Sequence, residues 1–548
     1  MSLCTPRSGR SKPEVLTLNA QELDEIVARA QSGPLSEEDC QKLQAVIDTL
    51  VWLHQELDAK NLTVARLRSL FGLVSSEKTA AVLGDQEARP RSEPSTQAAT
   101  TAPKPKRKGH GRNGAAAYTG AERIPVPHGT LQHKAPCPAC SQHKQGKVYV
   151  QREPRTVVRI VGQAPILARL YELETLRCNL CGAVFTAEPP PGVGDEKYDA
   201  TSASMIALLK YGSGMPFHRL ERLQANLGIP LPAGTQWEIV HEAAQKVEPV
   251  HQELVRQAAQ GRLLHNDDTS AQVLDLRKQI DRALESGEAD SERTGIFTTS
   301  VVSELEEGRR IALYFTGRRH AGENLEELLR QRSSELGPPM QMCDGQDRNH
   351  SKEFETILAN CLAHGRRKFI DVVASFPEEC RFVLETLRDV YKHDAVARER
   401  GLDDQERLLY HQEHSGPRMR GLESWLAEQF EQKRVEPNSS LGKAITYMRK
   451  RWDKLTLFLH QPGAPLDNNV CERALKKAIL HRKNALFFKT ENGARVGDLF
   501  MSVIHTAELQ GVNAFDYLTA LLKHAAEIRR DPKRWLPWTY TTARGEPL

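Results

Sequence analysis

The clearest hydrophobic pattern in the chain runs from Leu43 to Phe71. A heptad frame places Leu43, Val46, Leu50, Leu53, Leu57, Lys60, Val64, Leu67 and Phe71 at the a and d positions. All but Lys60 are apolar, so the pattern predicts a coiled coil that pairs subunits, with Lys60 available to set register. The alternative is an amphipathic helix packed within its own chain. From Gly84 to Arg112 periodicity stops. Pro, Ser, Thr, Ala and Gln give way to the basic run KPKRKGHGR at 104–112, which predicts a linker. Alternation returns in VYVQREPRTVVRIV and ILARLYELETLR, which read as strands. Residues 201–260 carry only helical patterns. HRLERLQANLG, a turn, and a helix capped at Thr235 are compatible with a helix-turn-helix.

From Arg262 the pattern changes again. RLLHNDD, TGIFTTSVVS and RRIALYFTG read as strands, HAGENLEELLRQR as a helix and PMQMCDGQ as a short buried strand. FETILANCLAHGRRKFIDVVA opens a long helical region. That order predicts a mixed sheet flanked by helices. Later, Cys471, Ala474, Leu475, Ala478 and Ile479 form the stripe of a half-buried helix. Asp467-Asn468-Asn469 precede it as helix-starting residues. Glu472 sits at the rim of the stripe, and Arg473, Lys476, Lys477, His481, Arg482 and Lys483 crowd the rest. Asn469-x-x-Glu472 also has the spacing of a capping box, a purely structural use of the same carboxylate.

The 548 residues suffice for three or more domains, and 39% apolar with 27% charged residues is ordinary globular composition. No apolar run approaches a membrane span and no apolar segment follows Met1, so an intracellular location is expected. A net charge of only +4 hides local cationic clusters at 104–112, at Arg366-Arg367-Lys368 and on the Glu472 helix. Such clusters predict an anionic partner met at particular places.

Of the ten cysteines, Cys137, Cys140, Cys178 and Cys181 stand in CPAC and CNLC, the spacing of a tetrahedral structural zinc site in a zinc ribbon. Four thiolates leave no open position for catalysis, so the ribbon points to nucleic-acid binding. Cys4, Cys40, Cys343, Cys361, Cys380 and Cys471 are scattered and are expected to pack as small hydrophobes.

Three carboxylates occupy related positions. Asp267 ends the first strand of the predicted sheet, Asp344 ends the fourth, and Glu472 opens a later helix. Brought together they repel unless divalent cations neutralise them, and hard oxygen donors suit Mg²⁺ or Mn²⁺. Two such ions serve an in-line phosphoryl displacement. Asp268 is the alternative first acid.

The chain resembles transposases of the insertion-sequence sixty-six family, of the DDE class found in bacteria. The resemblance rests on the leucine-rich N-terminal helix followed by Phe71-Gly72 and Ser76-Glu77, and on HGRNGAAAYTGAER at 110–123. It rests further on the CPAC/CNLC pair, YGSGMPFHRLERLQ at 211–224, CLAHGRRKF at 361–369 and LDNNVCERALKKAILHRKNALFF at 466–488. It implies an RNase H-like catalytic core with two Mg²⁺ ions, in which Asp344 matches the second acid and Glu472 the third. Where the family usually has Asp-Glu-Thr this chain has Asp267-Asp268-Thr269, and Asp267 is taken as the first acid. Arg473, Lys476, Lys477, Arg482 and Lys483 are expected to hold DNA phosphates.

The resulting expectation is a multidomain α+β protein. A helical coiled-coil region spans 1–83, a basic linker 84–125, a zinc ribbon 126–190 and a helix-turn-helix-like segment 191–261. The catalytic core spans 262–488 with a helical insertion at about 371–455 beside the site, and C-terminal helices span 489–548. Its expected work is cutting DNA at transposon ends and joining 3′-hydroxyls to target DNA, as a dimer or higher oligomer in the bacterial cytoplasm on the nucleoid. Small accessory proteins of the same element are expected partners. The rivals are a catalytically dead zinc-ribbon regulator and an RNase H-like nuclease without strand transfer.

Overall fold

The computed structural model describes residues 196–286 and 294–543, with 165–177, 184–191 and short pieces at 26, 28–30, 36–44, 79, 132–135 and 147–149. Two compact units emerge: residues 1–89, 366–396 and 417–446 form one, and 90–365, 397–416 and 447–548 the other. The described part is mixed α+β and mostly helical, with a five-stranded mixed sheet. Most of the predicted coiled coil, the basic linker, and all four cysteines of CPAC and CNLC lie outside the described residues.

A small hairpin precedes the larger unit's core. Strands β1 (Thr175–Arg177) and β2 (Val184–Thr186) pair antiparallel, with Arg177 opposite Val184. The strand expected over all of 166–177 is therefore only its last three residues. Leu167 and Leu170 are exposed, and no strand among the described residues pairs with them.

Helices α1 (Ala200–Ala207), α2 (Phe217–Asn226) and α3 (Ala233–Ala258) follow, with a π-turn at Leu208–Gly212. α3 starts behind Pro232, two residues ahead of the expected cap at Thr235. Its apolar face (Val240, Ala243, Val247, Val250, Leu254) is fully buried in the main core. Its exposed positions include Glu238, Glu242, Gln245 and Gln252, and Glu242 pairs with Lys246 at 2.8 Å.

The central sheet runs in the order β5-β4-β3-β6-β7. β3 (Leu263–Ser270), β4 (Phe297–Glu304) and β5 (Arg310–Gly317) form an antiparallel meander. Between β3 and β4 lies α4 (Leu274–Glu285), whose Leu276 and Ile280 close a small cluster with Val273, Ile296 and Ala494. α5 (Ala321–Leu329) then crosses to β6 (Met340–Cys343), which pairs parallel with β3. β7 (Ile357–Asn360) pairs parallel with β6. The sequence FETILAN was expected to begin a helix. A short apolar run reads equally as strand or helix, and here the open edge of β6 takes it as a strand.

α6 (Leu362–Val372) leaves β7 after one residue. Four helices follow: α7 (Pro377–Glu399), α8 (Asp404–His414), α9 (Gly416–Glu431) and α10 (Ser440–Lys450). In the smaller unit Cys380, Val383, Leu384, Leu387 and Val390 form the buried stripe of α7, and Met419, Leu422 and Leu426 that of α9. The larger unit includes α8 and, after residue 447, α11 (Asn469–Ala485), α12 (Glu491–Leu509) and α13 (Ala514–Lys523).

α12 protects the outer edge of the sheet. β5 pairs only with β4, so every second backbone group on its far side needs a partner. Asp498, Ser502 and Thr506, spaced four apart on one face of α12, supply them. Asp498 Oδ2 accepts from the Thr316 N–H at 2.6 Å, Ser502 Oγ from Tyr314 at 3.0 Å and Thr506 Oγ1 from Ala312 at 3.1 Å. Gln510 Nε2 donates to the Arg310 carbonyl at 2.8 Å. A helix repeat of about 5.4 Å per turn nearly matches the two-residue repeat of a strand, so the two ladders stay in step.

Cys343, Cys361, Cys380 and Cys471 are buried as expected of small hydrophobes, whereas Cys40 is exposed. No helix among the described residues is long and apolar enough to cross a membrane.

Candidate metal centre

β3 begins with Leu263-Leu264-His265-Asn266, all buried, as a strand with neighbours on both edges requires. Burial relaxes at Asp267, toward the strand's carboxyl end. On β6 the parallel register pairs Leu263 with Met340 and His265 with Met342. Continued for two residues, that offset sets Asp267 level with Asp344, the first residue after β6. The carboxyl ends of adjacent parallel strands thus deliver the two aspartates side by side.

A single amide joins them. Asn349, buried in the 3₁₀ turn Asp347–Asn349, donates from Nδ2 to Asp344 Oδ1 at 2.7 Å and to Asp267 Oδ1 at 3.4 Å. Its own carbonyl accepts from Asn266 Nδ2 at 2.7 Å and Gln341 Nε2 at 2.8 Å, which fixes the turn to β3 and β6. The Asp344 carboxylate also accepts the Gln346 N–H at 3.1 Å. Gly345 gives Arg451 room to approach. The Arg451 guanidinium donates twice to the Gly345 carbonyl, at 3.0 and 2.7 Å, and a Cβ at 345 would lie 2.2 Å from Arg451 Nε.

The Asp267 carboxyl is pushed up to about 7, first by burial, then by the charges of Asp344, Asp268 and Glu472, against the hydrogen bond that the Asp268 N–H donates to it. Asp267 therefore stands within electrostatic reach of both other candidate acids. Asp268, the alternative first acid, points elsewhere. It meets His320 Nδ1 at 2.9 Å and Arg348 Nη2 at 3.4 Å, and its side chain is 2% exposed.

Glu472 lies in the first turn of α11. The expected capping box is absent. Asn468, not Asn469, is the cap residue, and its side chain makes no bond to its own helix. Asn469 instead donates to Asp467 Oδ2 at 2.7 Å. The buried Asn468 side chain reaches β3: Nδ2 donates to the Asn266 carbonyl at 3.1 Å and Oδ1 lies 3.0 Å from His265 Nδ1. That orientation makes Nδ1 the protonated nitrogen of His265, a buried imidazole pushed down to about 4 by desolvation. Cys361 Sγ accepts the Asn468 N–H at 3.2 Å. Free of capping duty, Glu472 Oε1 is buried and has no hydrogen-bond partner.

The chemistry of this donor set fits a divalent cation. Asn349 joins the Asp267 and Asp344 carboxylates, and Glu472 Oε1, Asn349 Oδ1 and His364 Nδ1 are buried without hydrogen-bond partners. Oxygen donors of this kind suit Mg²⁺ or Mn²⁺.

The expected phosphate-holding residues divide into two groups. Arg473, Lys476 and Lys483 are exposed along α11. Lys477 is paired with Glu508 at 2.5 Å, and Arg482 is bonded to Thr269 Oγ1, Ser270 Oγ and the Ser270 carbonyl at the end of β3. Leu486, with φ of 69°, and Phe487 stand exposed just beyond the helix. Asn349, His265 and His364 were not singled out from the sequence, and Asn468 was read only as a helix-starting residue. Two signals were present: the doubled Asn468-Asn469, and the histidine of CLAHGRRKF.

A family model described as Transposase IS66 family matches residues 197–496. Three uncharacterized proteins of Sinorhizobium fredii (strain NBRC 101917 / NGR234) are similar over part of the chain. y4jD is 32% identical over 199 residues, covering 35% of this chain and 38% of its own length. y4hP is 30% identical over 207 residues, covering 35% and 37%, and y4qI is 30% identical over 192 residues, covering 34% of each. The similarity thus spans little more than a third of each relative.

Proposed function

Because this chain belongs to the IS66 transposase family, we propose that it cuts DNA at the ends of an insertion sequence and joins the freed 3′-hydroxyls to target DNA. Asp267, Asp344 and Glu472 are the metal-binding acids. The observation that carries this reading is the Asn349 amide joining the Asp267 and Asp344 carboxylates where the adjacent parallel strands β3 and β6 deliver them side by side. The strand order, with a meander followed by two parallel strands, supports an RNase H-like core. The helix-borne third acid supports the DDE assignment.

Two divalent ions, when bound, supply Lewis acidity at the scissile phosphate and ease deprotonation of the attacking hydroxyl. The protein's part is placement. Asn349 holds the Asp267 and Asp344 carboxylates in register. Asn468 ties the start of α11 to β3, so Glu472 approaches at a fixed distance. Arg473, Lys476 and Lys483 present exposed charge to the DNA backbone and set its path past the acids. Burial around Asp267 and Asp344 limits water, which strengthens each electrostatic contact. The cysteines of CPAC and CNLC hold a structural zinc ion, and the Leu43–Phe71 helix pairs subunits across two DNA ends.

A joining assay with the full chain, a pre-cut transposon end, plasmid target and Mg²⁺ tests this reading. Joined products support a transposase. Cutting without joining would reduce it to a nuclease, and DNA binding with neither would reduce it to a regulator.

A further inference from the structure

β7 is the third parallel strand of the sheet, and its carboxyl end lies next to that of β6. β3 delivers Asp267, the residue after β6 is Asp344, the one residue between β7 and α6 is Cys361, and the first turn of α6 carries His364. His364 Nδ1 lies 3.7 Å from Glu472 Oε1. That is too long for a hydrogen bond. Both atoms are buried, and neither has any hydrogen-bond partner. Cys361 Sγ, a His364 ring nitrogen and a Glu472 oxygen all lie within 4.8 Å of one another.

Two electron-pair donors facing each other at this separation, out of water and unpaired, are arranged as ligands rather than as partners. Ligand atoms sharing one cation at about 2.1 Å stand roughly 3 to 3.5 Å apart. We propose that His364 is a fourth ligand of the divalent-ion centre, giving the ion at Glu472 a mixed imidazole–carboxylate environment. Cys361 is not part of it. Its sulfur already accepts the Asn468 N–H, and a thiol is a soft donor that hard cations do not favour. The inference rests on the reading of Asp267, Asp344 and Glu472 as metal ligands. It adds a consequence that three carboxylates alone do not carry: an imidazole favours Mn²⁺ over Mg²⁺.

The test is Mn²⁺ binding by the full chain, followed by electron paramagnetic resonance of the free ion and by electron spin echo detection of nitrogen coupling to the bound ion. Wild type should bind Mn²⁺ with an imidazole nitrogen coupling. His364→Ala should lose that coupling and bind Mn²⁺ about tenfold to a hundredfold more weakly. Its loss of Mg²⁺ affinity should be smaller, and Cys361→Ser should keep the coupling. If wild type binds Mn²⁺, Asp344→Ala abolishes binding and no nitrogen coupling is seen, the carboxylate centre stands and the role of His364 is overturned. If wild type binds no Mn²⁺, the carboxylate reading itself fails and takes this inference with it. Tighter Zn²⁺ than Mn²⁺ binding that is lost in Cys361→Ser would also overturn it, in favour of a soft site. The wild-type nitrogen signal decides the matter even where a variant folds poorly.

Discussion

The Asn468 side-chain amide lies 3.0 Å from His265 Nδ1, and this contact joins the helix that carries Glu472 to the strand that carries Asp267. Both residues are buried, and Asn468 also caps the Asn266 carbonyl. Replacing Asn468 with Ala leaves the His265 N–H and that carbonyl without this partner in a dry interior. Asn468→Ala should cost about 1–3 kcal/mol of stability, read by chemical denaturation. It should also lower Mg²⁺-dependent cleavage beyond what the stability loss explains, because Glu472 is no longer held.

The Asp267 carboxylate is a stability liability in the metal-free protein. Burial and the neighbouring charges of Asp344 and Glu472 all disfavour its ionised form. Asp267→Asn removes that repulsion while keeping shape. The variant should melt at a higher temperature than wild type near pH 8 without metal, and should cut no DNA. Added Mg²⁺ should raise the melting temperature of wild type and leave the variant nearly unchanged. A variant less stable than wild type would contradict the crowded-acid account.

Asp498 makes a separate, pH-dependent prediction. It is fully buried against Thr316 and pushed up to about 7 by desolvation, against the two Thr316 hydrogen bonds that favour its charge. Its folded value lies above its unfolded value of about 3.8. Between those values the folded state holds more protons, so stability falls as pH rises, by about 1.4 kcal/mol per unit at the steepest. The stability difference between wild type and Asp498→Asn should slope across pH 4 to 7 and flatten above it. A difference independent of pH would show that Asp498 does not titrate there.

Gly345 gives a fourth test. A methyl group there would displace the Arg451 guanidinium from the Gly345 carbonyl. Gly345→Ala should cost about 1–3 kcal/mol. It should also reduce cleavage by shifting the residue next to Asp344, with DNA affinity retained in a gel-shift measurement.

How much of this was legible in the sequence follows from the kind of signal each part leaves. Strands β3, β4, β5 and β6 left short runs with apolar residues, and Asp344 stands where one stops, but β3 runs on to Ser270, three residues past the Asp267 expected to end it. β7 was hidden because three apolar residues and an Asn ahead of a helical pattern look like the helix's first turn, and only the open edge of β6 makes them a strand. Glu472 was readable at the rim of a helical stripe, yet its capping-box spacing suggested a local use that the structure lacks. Asn468 was invisible as a tether because its partners, His265 and Asn266, are some two hundred residues away. Asn349 joins the two aspartates from a turn that carries no periodic pattern. Arg482 and Lys477 read as free cations, but their partners, Ser270 and Glu508, come from other elements.

The most direct measurement of the central claim is DNA-end cleavage in Mg²⁺ by Asp267→Ala, Asp344→Ala and Glu472→Ala, made singly, with DNA binding followed on the same samples. Loss of cleavage in all three, with binding close to wild type, is the predicted result. Cleavage at the wild-type rate by any one of them would contradict a shared metal centre.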